Sequence, residues 1–290
     1  MSITGTGTQA DPFVVTTYAE LLEKAPLGSA SAMVYVKLGN DINVLDEYPN
    51  GDVPSVTLAA YVDGDGKTIR NLYSETVSDT SGIYALTSGS FVNVKFRNIF
   101  TYQPVFSSSS AITSARRAAV QDCEFTGVCN PMFYKASGSC ASFIRCSFNL
   151  SGSSVITAST YPPLMVNCFI RFSSPATKMF QFTNTSSTQK KMLDSSYIEA
   201  DMSALKGITM NSDDTATKDD AVYIDNSVLD IKTEGVFTVG CSEGTREISI
   251  LRASHAPDVT GTANIAAVDD THWLDAAYLS GIGFNIEVEE

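Results

Sequence analysis

The sequence predicts an all-β protein, a single-stranded, right-handed parallel β-helix with short helical caps at both ends. Two observations predict this fold. A four-residue motif recurs at intervals of 25, 23, 22, 28, 30 and 23 residues, and such a period indicates a solenoid. Between its copies lie second short apolar runs, separated by gaps rich in Ser, Gly, Thr and Asn that are too short to hold a helix.

The motif places a small residue two positions before an apolar one. Its copies are Arg97–Phe100, Asp122–Phe125, Arg145–Phe148, Asn167–Ile170, Ser195–Ile198, Asp225–Val228 and Ile248–Leu251. Because side chains alternate along a strand, both residues of a copy share one face. Stacking then predicts an inward column of small residues, Asn98, Cys123, Cys146, Cys168, Ser196, Asn226 and Ser249. It also predicts an inward apolar column, Phe100, Phe125, Phe148, Ile170, Ile198, Val228 and Leu251.

A second strand in each repeat is predicted from the other apolar runs. They are Pro104–Phe106, Pro131–Phe133, Ser154–Ile156, Lys178–Phe180, Gly207–Thr209 and Gly235–Phe237. A strand of only a few residues cannot bury its apolar face alone, so stacked coils must share one core and pair their backbone groups with the neighbouring coils.

The N-terminal segment is expected to cover one open end of this stack, which would otherwise expose core and strand edges. Thr17 and Glu20 match a capping box, and the run from Tyr18 to Ala25 predicts a short amphipathic helix. The first strands are expected within Met33–Leu38 and Ser55–Leu58. We therefore expect an N-terminal cap over residues 1–30 and the β-helix over residues 31–255.

The C-terminal segment, residues 256–290, is expected to form the second cap. Apolar residues at helical spacing predict a helix from Asp269 to Leu279, and a strand is expected over Ile282–Ile286. Trp273 is interpreted as a cap residue packed on the last coil rather than as a residue that stacks on a ligand.

Charge and composition exclude several classes of partner. The 290 residues contain 19 Lys and Arg against 32 Asp and Glu, a net charge of −13 without a basic run, which argues against nucleic acid as a partner. The first residues lack the pattern of a signal peptide, and no apolar run is long enough to cross a bilayer. We expect synthesis in a cytosol and no membrane insertion.

Six cysteines, Cys123, Cys129, Cys140, Cys146, Cys168 and Cys241, are expected to be reduced because no secretion signal precedes them. A structural role as small hydrophobes is favoured, and zinc or redox roles remain as alternatives. The sequence has no CxxC pair, and its histidines are His255 and His272. No metal or cofactor is therefore expected.

Hydrolysis of a glycan would require two carboxylates across a groove. The candidate pairs are Asp122 with Glu124, Asp194 with Glu199, and Asp225 with Asp230. With 32 acidic residues in a solenoid such pairs arise by chance, so we interpret them as surface charge. A lyase would need calcium-binding carboxylates and a base, and the basic candidates, Arg116–Arg117 and Lys190–Lys191, have little to support them.

The segment Asp63–Gly66 resembles the start of a calcium loop. Such a loop needs oxygen ligands at alternating positions and a bidentate acid at the twelfth, but Lys67 stands at the fifth position and Ser74 at the twelfth. A turn between two strands is therefore the better interpretation. We predict no catalytic, metal-binding or cofactor-binding residue.

The two ends of the chain resemble a known class of proteins. Gly5–Thr17 with Glu20 and Leu21, and later Val62–Leu72, resemble the first coils of β-helix proteins of tailed bacteriophages and of the related pectate-lyase-like superfamily. Trp273–Phe284 resembles the end of such phage-encoded proteins. The resemblance implies a homotrimer that serves as a head spike or fibre, a capsid decoration or a tail spike, in contact with host-surface glycans or other virion proteins.

Combined with the missing catalytic residues, the resemblance predicts a non-enzymatic structural protein of a tailed-phage virion. Because the first coil begins near Met1, we expect a decoration, head spike, fibre or small tail appendage rather than a long enzymatic tail spike. The alternatives are a carbohydrate-active β-helix enzyme, hydrolase or lyase, and a glycan-binding adhesin that uses some of the 12 Tyr and 15 Phe residues.

Overall fold

The fold is all-β, with long parallel sheets. The computed structural model describes residues 3–29, 31–51, 53–75, 82–108, 119–129, 132–135, 142–152, 156–158, 164–173, 180–182, 190–201, 208–209, 222–232, 237–238, 248–255, 259–260 and 265–284. Within these residues the strands form four sheets, here called A to D, with nine, eleven, six and three strands. Their strand pairings are all parallel.

Sheet A consists of β1 (Phe13–Val15), β2 (Tyr35–Leu38), β5 (Tyr61–Asp63), β9 (Ser90–Val92), β12 (Ala119–Gln121), β15 (Ser142–Ile144), β18 (Leu164–Val166), β21 (Lys190–Asp194) and β24 (Val222–Asp225). Sheet B consists of β3 (Ile42–Asn43), β6 (Thr68–Arg70), β7 (Tyr73–Ser74), β10 (Lys95–Thr101), β13 (Glu124–Cys129), β16 (Ser147–Gly152), β19 (Phe169–Ser173), β22 (Tyr197–Asp201), β25 (Val228–Lys232), β27 (Ser249–Arg252) and β29 (Ile265–Val268).

Sheet C consists of β4 (Val56–Leu58), β8 (Tyr84–Leu86), β11 (Phe106–Ser108), β14 (Phe133–Lys135), β17 (Ile156–Ala158) and β20 (Phe180–Phe182). Sheet D consists of β23 (Ile208–Thr209), β26 (Phe237–Thr238) and β28 (Val259–Thr260). The helices are α1 (Tyr18–Lys24), a 3₁₀ turn (Val44–Asp46) and α2 (Ala276–Gly281).

The chain visits the sheets in a fixed cyclic order. From β9 to β20 it passes through sheets A, B and C four times, and each strand pairs with the strand one passage later. We call one such passage a coil. The order is consistent with the predicted parallel β-helix. The apolar runs predicted as second strands correspond to sheets C and D, although the first residues of several runs lie outside the described residues.

The predicted apolar column runs through the core of sheet B. Its register-paired members are Phe96, Phe125, Phe148, Ile170, Ile198, Leu229 and Leu251, all of them buried. Two predicted members were wrong, because Phe96 takes the place of Phe100 and Leu229 that of Val228. The rings of Phe96, Phe125 and Phe148 stack with centroids 5.0 Å apart.

A buried column of small residues lies beside the apolar one. It consists of Cys123, Cys146, Cys168, Ser196, Ser227 and Ser249. The predictions for Asn98 and Asn226 were wrong. Asn226 lies one position earlier in the turn, where its φ is 43°. Asn98 belongs to a separate ladder in which its amide donates to Asn71.

The turn from sheet A to sheet B explains both patterns. It begins with a residue of positive φ, namely Asn93, Asp122, Arg145, Asn167, Ser195 or Asn226, a conformation that Asn and Asp adopt more readily than most residues. The small residue follows and bonds to the backbone. Ser196 Oγ donates to the Asp194 carbonyl (2.9 Å) and accepts from the Cys168 N–H (3.1 Å). The bond from the Cys168 N–H satisfies a buried backbone donor at the corner, and the Asp194 carbonyl also accepts from the Asn167 N–H (3.0 Å).

Helix α1 confirms the predicted N-terminal helix. The Thr17 side chain accepts from the N–H of Glu20 (3.2 Å), and the Glu20 carboxylate accepts from the N–H of Thr16 (2.7 Å), a bond that lowers the pKa of Glu20. Glu47 adds a second carboxylate, which accepts from the N–H of Tyr18 (2.8 Å). Strand β1 pairs with β2, so sheet A already includes part of the segment predicted as a cap.

The C-terminal helix is shorter than predicted. Helix α2 begins after Asp275, whose carboxylate accepts from the first free N–H groups, and residues 270–274 form turns. The predicted strand at Ile282 is wrong for residues 282–284, and the rest of it lies outside the described residues. Trp273 packs, half-buried, on a second apolar cluster that includes Ile250 and Leu279. This cluster lies on the outward side of sheet B, because Ile250 pairs with outward-facing Val228.

Candidate functional site

The cysteines of the described residues line the interior. Cys123, Cys129, Cys146 and Cys168 are buried and free, whereas Cys140 and Cys241 lie outside the described residues. The Cys146 thiol donates to the Val120 carbonyl (3.2 Å). Burial raises the pKa of the Cys123 thiol and raises that of Cys129 to about 12, so both are held as neutral thiols. Their geometry is that of core residues, as the sequence predicted.

No metal centre is assembled in the part of the chain that the structure describes, since no three His, Cys, Asp or Glu side chains there are placed to share an ion. The segment Asp63–Gly66 is a turn, in which Asp63 accepts from the N–H of Asp65 (2.8 Å). Asp65 in turn forms an ion pair with Lys37 (3.0 Å). Neither described α-helix has the length and apolar character needed to cross a bilayer.

Of the carboxylate pairs considered from the sequence, Asp122 and Glu124 line one shallow groove of about 320 Å³, and both are paired with arginines. Asp122 accepts two bonds from Arg145 (2.7 and 2.8 Å), which lower the pKa of Asp122, and Glu124 is paired with Arg97. Asp194 ends a strand of sheet A, whereas Glu199 lies on sheet B. Asp225 lies on sheet A and Asp230 on sheet B, and the side chain of Asp225 is outside the described residues. The basic candidates are also outside them, namely Arg116–Arg117 and the side chains of Lys190–Lys191.

Strand register brings together a different pair on the outer face of sheet B. Glu199 of β22 is the direct neighbour of Asp230 of β25. The Glu199 carboxylate accepts from Arg171 at 2.8 Å, and Asp230 contacts Arg252 at 3.3 Å. Each acid is therefore paired with a base on a neighbouring strand.

Asp230 also holds a histidine that the sequence did not point to as a site residue. The His255 ring nitrogen Nδ1 lies 2.5 Å from Asp230 Oδ1, and the Asp230 side chain is only 13% exposed. Arg252 continues the network to Asp270 (2.7 Å), whose pKa it lowers. The carboxylate fixes the orientation of the imidazole through Nδ1.

A shallow groove of about 280 Å³ runs beside this network. Its lining includes Arg171, Glu199, Asp201, Asp230, Lys232 and His255. Lys232 pairs with Asp201 at 3.6 Å, so opposite charges alternate along the groove. This arrangement pairs the charges of neighbouring coils and of the turn that carries His255, and it is the place where acid–base chemistry would have its groups.

Comparisons with known proteins add little to this description. No protein-family model matches the chain, and no curated protein matches it. Among solved structures, the chain is similar to the crystal structure of a putative immunoglobulin A1 protease from Bacteroides ovatus, with a TM-score of 0.47 and 16% sequence identity. The match covers 94% of this chain and 89% of that chain. A similarity of this size carries no argument about what this chain does.

Proposed function

We propose that the chain is a right-handed, single-stranded parallel β-helix and a non-enzymatic structural protein of a tailed-phage virion. In this proposal residues 31–255 form the β-helix, and residues 1–30 and 256–290 form its caps. The protein is made in the host cytoplasm, assembles as a homotrimer and joins the particle as a capsid decoration, head spike, fibre or small tail appendage. Its partners are copies of itself and other virion proteins, with host-surface glycan as a further ligand.

The observation that carries the proposal is the continuous parallel pairing of sheet B. Strand follows strand from β3 to β29, with the same inward columns in successive coils and a register shift between β10 and β13. The Phe96, Phe125 and Phe148 rings pack face to face in this core. A stack of coils with a shared core suits a role in which a surface is presented at a fixed distance from a particle.

The pairing of charges on the outer face also supports a structural role. Glu124, Glu199 and Asp230 each contact an arginine across a strand boundary. A glycosidase needs two carboxyl groups that are available to the scissile bond. These carboxylates are each bound to an arginine of a neighbouring strand, so we assign them to the pairing of charges between successive coils.

Two measurements test the proposal. Sedimentation equilibrium of the full chain should give the mass of three 31.0-kDa chains, and a monomer at micromolar concentration would contradict the trimer. Particles released from cells that carry the encoding gene should contain the protein by mass spectrometry of gradient-purified virions, and antibody-gold labelling should place it on the head or tail. Its absence from every particle fraction, with the free protein in the lysate, would overturn the virion role.

A carbohydrate-active enzyme is the second candidate, and the Glu199–Asp230 pair beside His255 is the observation that favours it. Incubation of the protein with a panel of neutral and acidic polysaccharides would reveal new reducing ends or unsaturated products. Glu199→Gln should abolish such activity without changing the far-UV circular dichroism, and Glu124→Gln serves as the matched control from another ion pair. No product from any polysaccharide would remove this candidate.

A further inference from the structure

An aromatic platform lies on the outer face of sheet B near its N-terminal end. Tyr73 of β7 and Phe100 of β10 are register partners, and their rings stack at 5.4 Å with an angle of 12° between their planes. Tyr102 stands edge-on to Phe100 at 5.6 Å. Phe100 and Tyr102 are 37% and 46% exposed, so apolar ring surface faces solvent where the sequence had predicted Phe100 to be buried.

The platform is held in place by the backbone beneath it. Gly51 has a φ of 83°, and a Cβ at this position would lie 1.8 Å from Cδ1 of Tyr73. The Tyr73 ring therefore rests directly on the glycine backbone. The Tyr73 hydroxyl donates to the carboxylate of Glu75. A ring fixed in this way loses little freedom when a ligand stacks on it.

Polar groups line the groove beside the rings. The groove has a volume of about 380 Å³ and is lined by Leu45, Pro49, Asn50, Asn71, Tyr73, Glu75, Asn98 and Phe100. The Asn71 amide donates to Asn43 (2.8 Å), and the Asn98 amide donates to Asn71. In the part of the chain that the structure describes, this ladder ends at Asn98, whose amide oxygen has no donor.

We propose that this groove binds a neutral oligosaccharide. Flat rings beside amide donors and acceptors and a carboxylate match a sugar ring, which offers an apolar C–H face and hydroxyls at its edge. The volume is within the range of small-molecule sites. Glu75 is the charged residue of the lining, and the chain carries a net charge of −13, so acidic glycans are repelled. The inference rests on the glycan contact of the proposed function and deepens it by naming the groove and the class of sugar, whereas assembly into a virion is tested separately.

The test uses the purified full chain and an array of neutral glycans that end in glucose, galactose or N-acetylglucosamine, with sialylated and uronic-acid glycans on the same array. We expect binding to a subset of the neutral glycans. The tightest binder is then titrated by calorimetry against Phe100→Ala, which should weaken its affinity at least tenfold. Phe169→Ala is the matched control, because Phe169 is 39% exposed and stacks on Tyr197 elsewhere on the same face, and it should keep wild-type affinity.

Several results would overturn the inference. These are no neutral glycan bound, binding confined to acidic glycans, or equal loss in the Phe100 and Phe169 variants. Thermal unfolding of both variants checks that Phe100→Ala remains folded. If Phe100→Ala is unfolded, the titration is repeated with Phe100→Leu, which keeps an apolar side chain and removes the flat ring. A Phe100 variant that turns an oligomer into monomers while no glycan binds would show that a second copy covers the platform. Glycan binding by a monomeric protein would contradict only the trimer.

Discussion

Replacing Ser196 by alanine tests whether the corner hydroxyls hold the coils together. Ser196 is 3% exposed, and its Oγ donates to the Asp194 carbonyl at 2.9 Å and accepts from the Cys168 N–H at 3.1 Å. Alanine removes the acceptor of the Cys168 N–H, whereas the Asp194 carbonyl loses one of its bonds and keeps the one from the Asn167 N–H (3.0 Å). An unsatisfied buried donor costs about 1–3 kcal/mol, and the lost bond to the carbonyl adds about 1 kcal/mol. We expect Ser196→Ala to lower the free energy of unfolding by about 2–4 kcal/mol.

Ser196→Cys is the matched control, because the chain itself places Cys123, Cys146 and Cys168 at the same position of earlier coils. The Cys168 thiol still donates to the Phe143 and Val166 carbonyls, both at 3.4 Å. Cysteine at 196 keeps a weak donor and acceptor, so we expect a loss of about 1 kcal/mol or less.

Scanning calorimetry and far-UV circular dichroism measure the difference. For a chain of this size 1 kcal/mol shifts the Tm by about 2 °C. Ser196→Ala should therefore lower the Tm by about 4–8 °C, and Ser196→Cys by less than about 2 °C. Equal Tm values for the two variants would show that hydrogen bonds from the side chain at this corner to the backbone do not stabilise the fold. The explanation for the column of small residues would then be wrong.

Three further predictions follow from the same geometry. Iodoacetamide at pH 8 should leave the buried thiols unmodified in the native protein and should alkylate them after denaturation; these are Cys123, Cys129, Cys146 and Cys168. The reason is that alkylation requires an accessible thiolate. Peptide mapping that finds Cys129 modified in the native state would contradict its burial. Gly127→Ala should lower the free energy of unfolding by several kcal/mol or prevent folding, because the new Cβ would lie 2.1 Å from the Ile99 carbonyl oxygen. Gly66→Ala is the control, since its Cβ would meet open space and should cost only about 1–2 kcal/mol of backbone strain. Similar losses for the two variants in urea denaturation would refute the close approach of the strands. Asp122→Asn should lower the free energy of unfolding by less than about 1 kcal/mol at pH 7. Because Arg145 lowers the folded-state pKa of Asp122, the stabilisation by this ion pair is present above the unfolded-state pKa and should disappear as the pH falls through the folded-state pKa. A difference between wild type and variant that persists at pH 2 in denaturation curves would contradict the ion pair.

The sequence predicted the solenoid period and the middle of both columns because those features are local and repeated. It failed at Phe100 and Val228 because an adjacent or overlapping segment fits a similar pattern. The adjacent copy Asn93–Phe96 has Val94 where other copies have a small residue, and the copy that begins at Asn226 is displaced by one position. Only the pairing of neighbouring strands decides which of the two copies enters the core.

The third strand of each coil left a signal that the four-residue motif did not include. Sheet A contributes a buried apolar residue three positions before the small residue of the corner. These residues are Phe91, Val120, Phe143, Met165, Leu193 and Ile224. A six-residue pattern that spans the corner would have found them.

The two candidate sites had no comparable signal in the sequence. Asp230 and His255 are 25 residues apart, and Tyr73 and Phe100 are 27 residues apart. Each pair meets because strands of successive coils are neighbours. The coil lengths vary along the chain, so the spacing alone cannot show which outward residues become neighbours.

The inward and outward sides of sheet B are therefore under different constraints. The inward side determines stability, and the outward side is available for the proposed ligand contacts. Inward positions are constrained by the columns, since a change there disturbs the residues of the coils on both sides. Outward ion pairs such as Arg171–Glu199 are exposed and contribute little to stability, so they can change without loss of the fold. The outward side is covered by the C-terminal segment near Ile250 and carries paired charges around Glu199. Around Phe100 it leaves aromatic surface in solvent beside the ladder of Asn43, Asn71 and Asn98, which is why we place the proposed ligand groove at that end of the sheet.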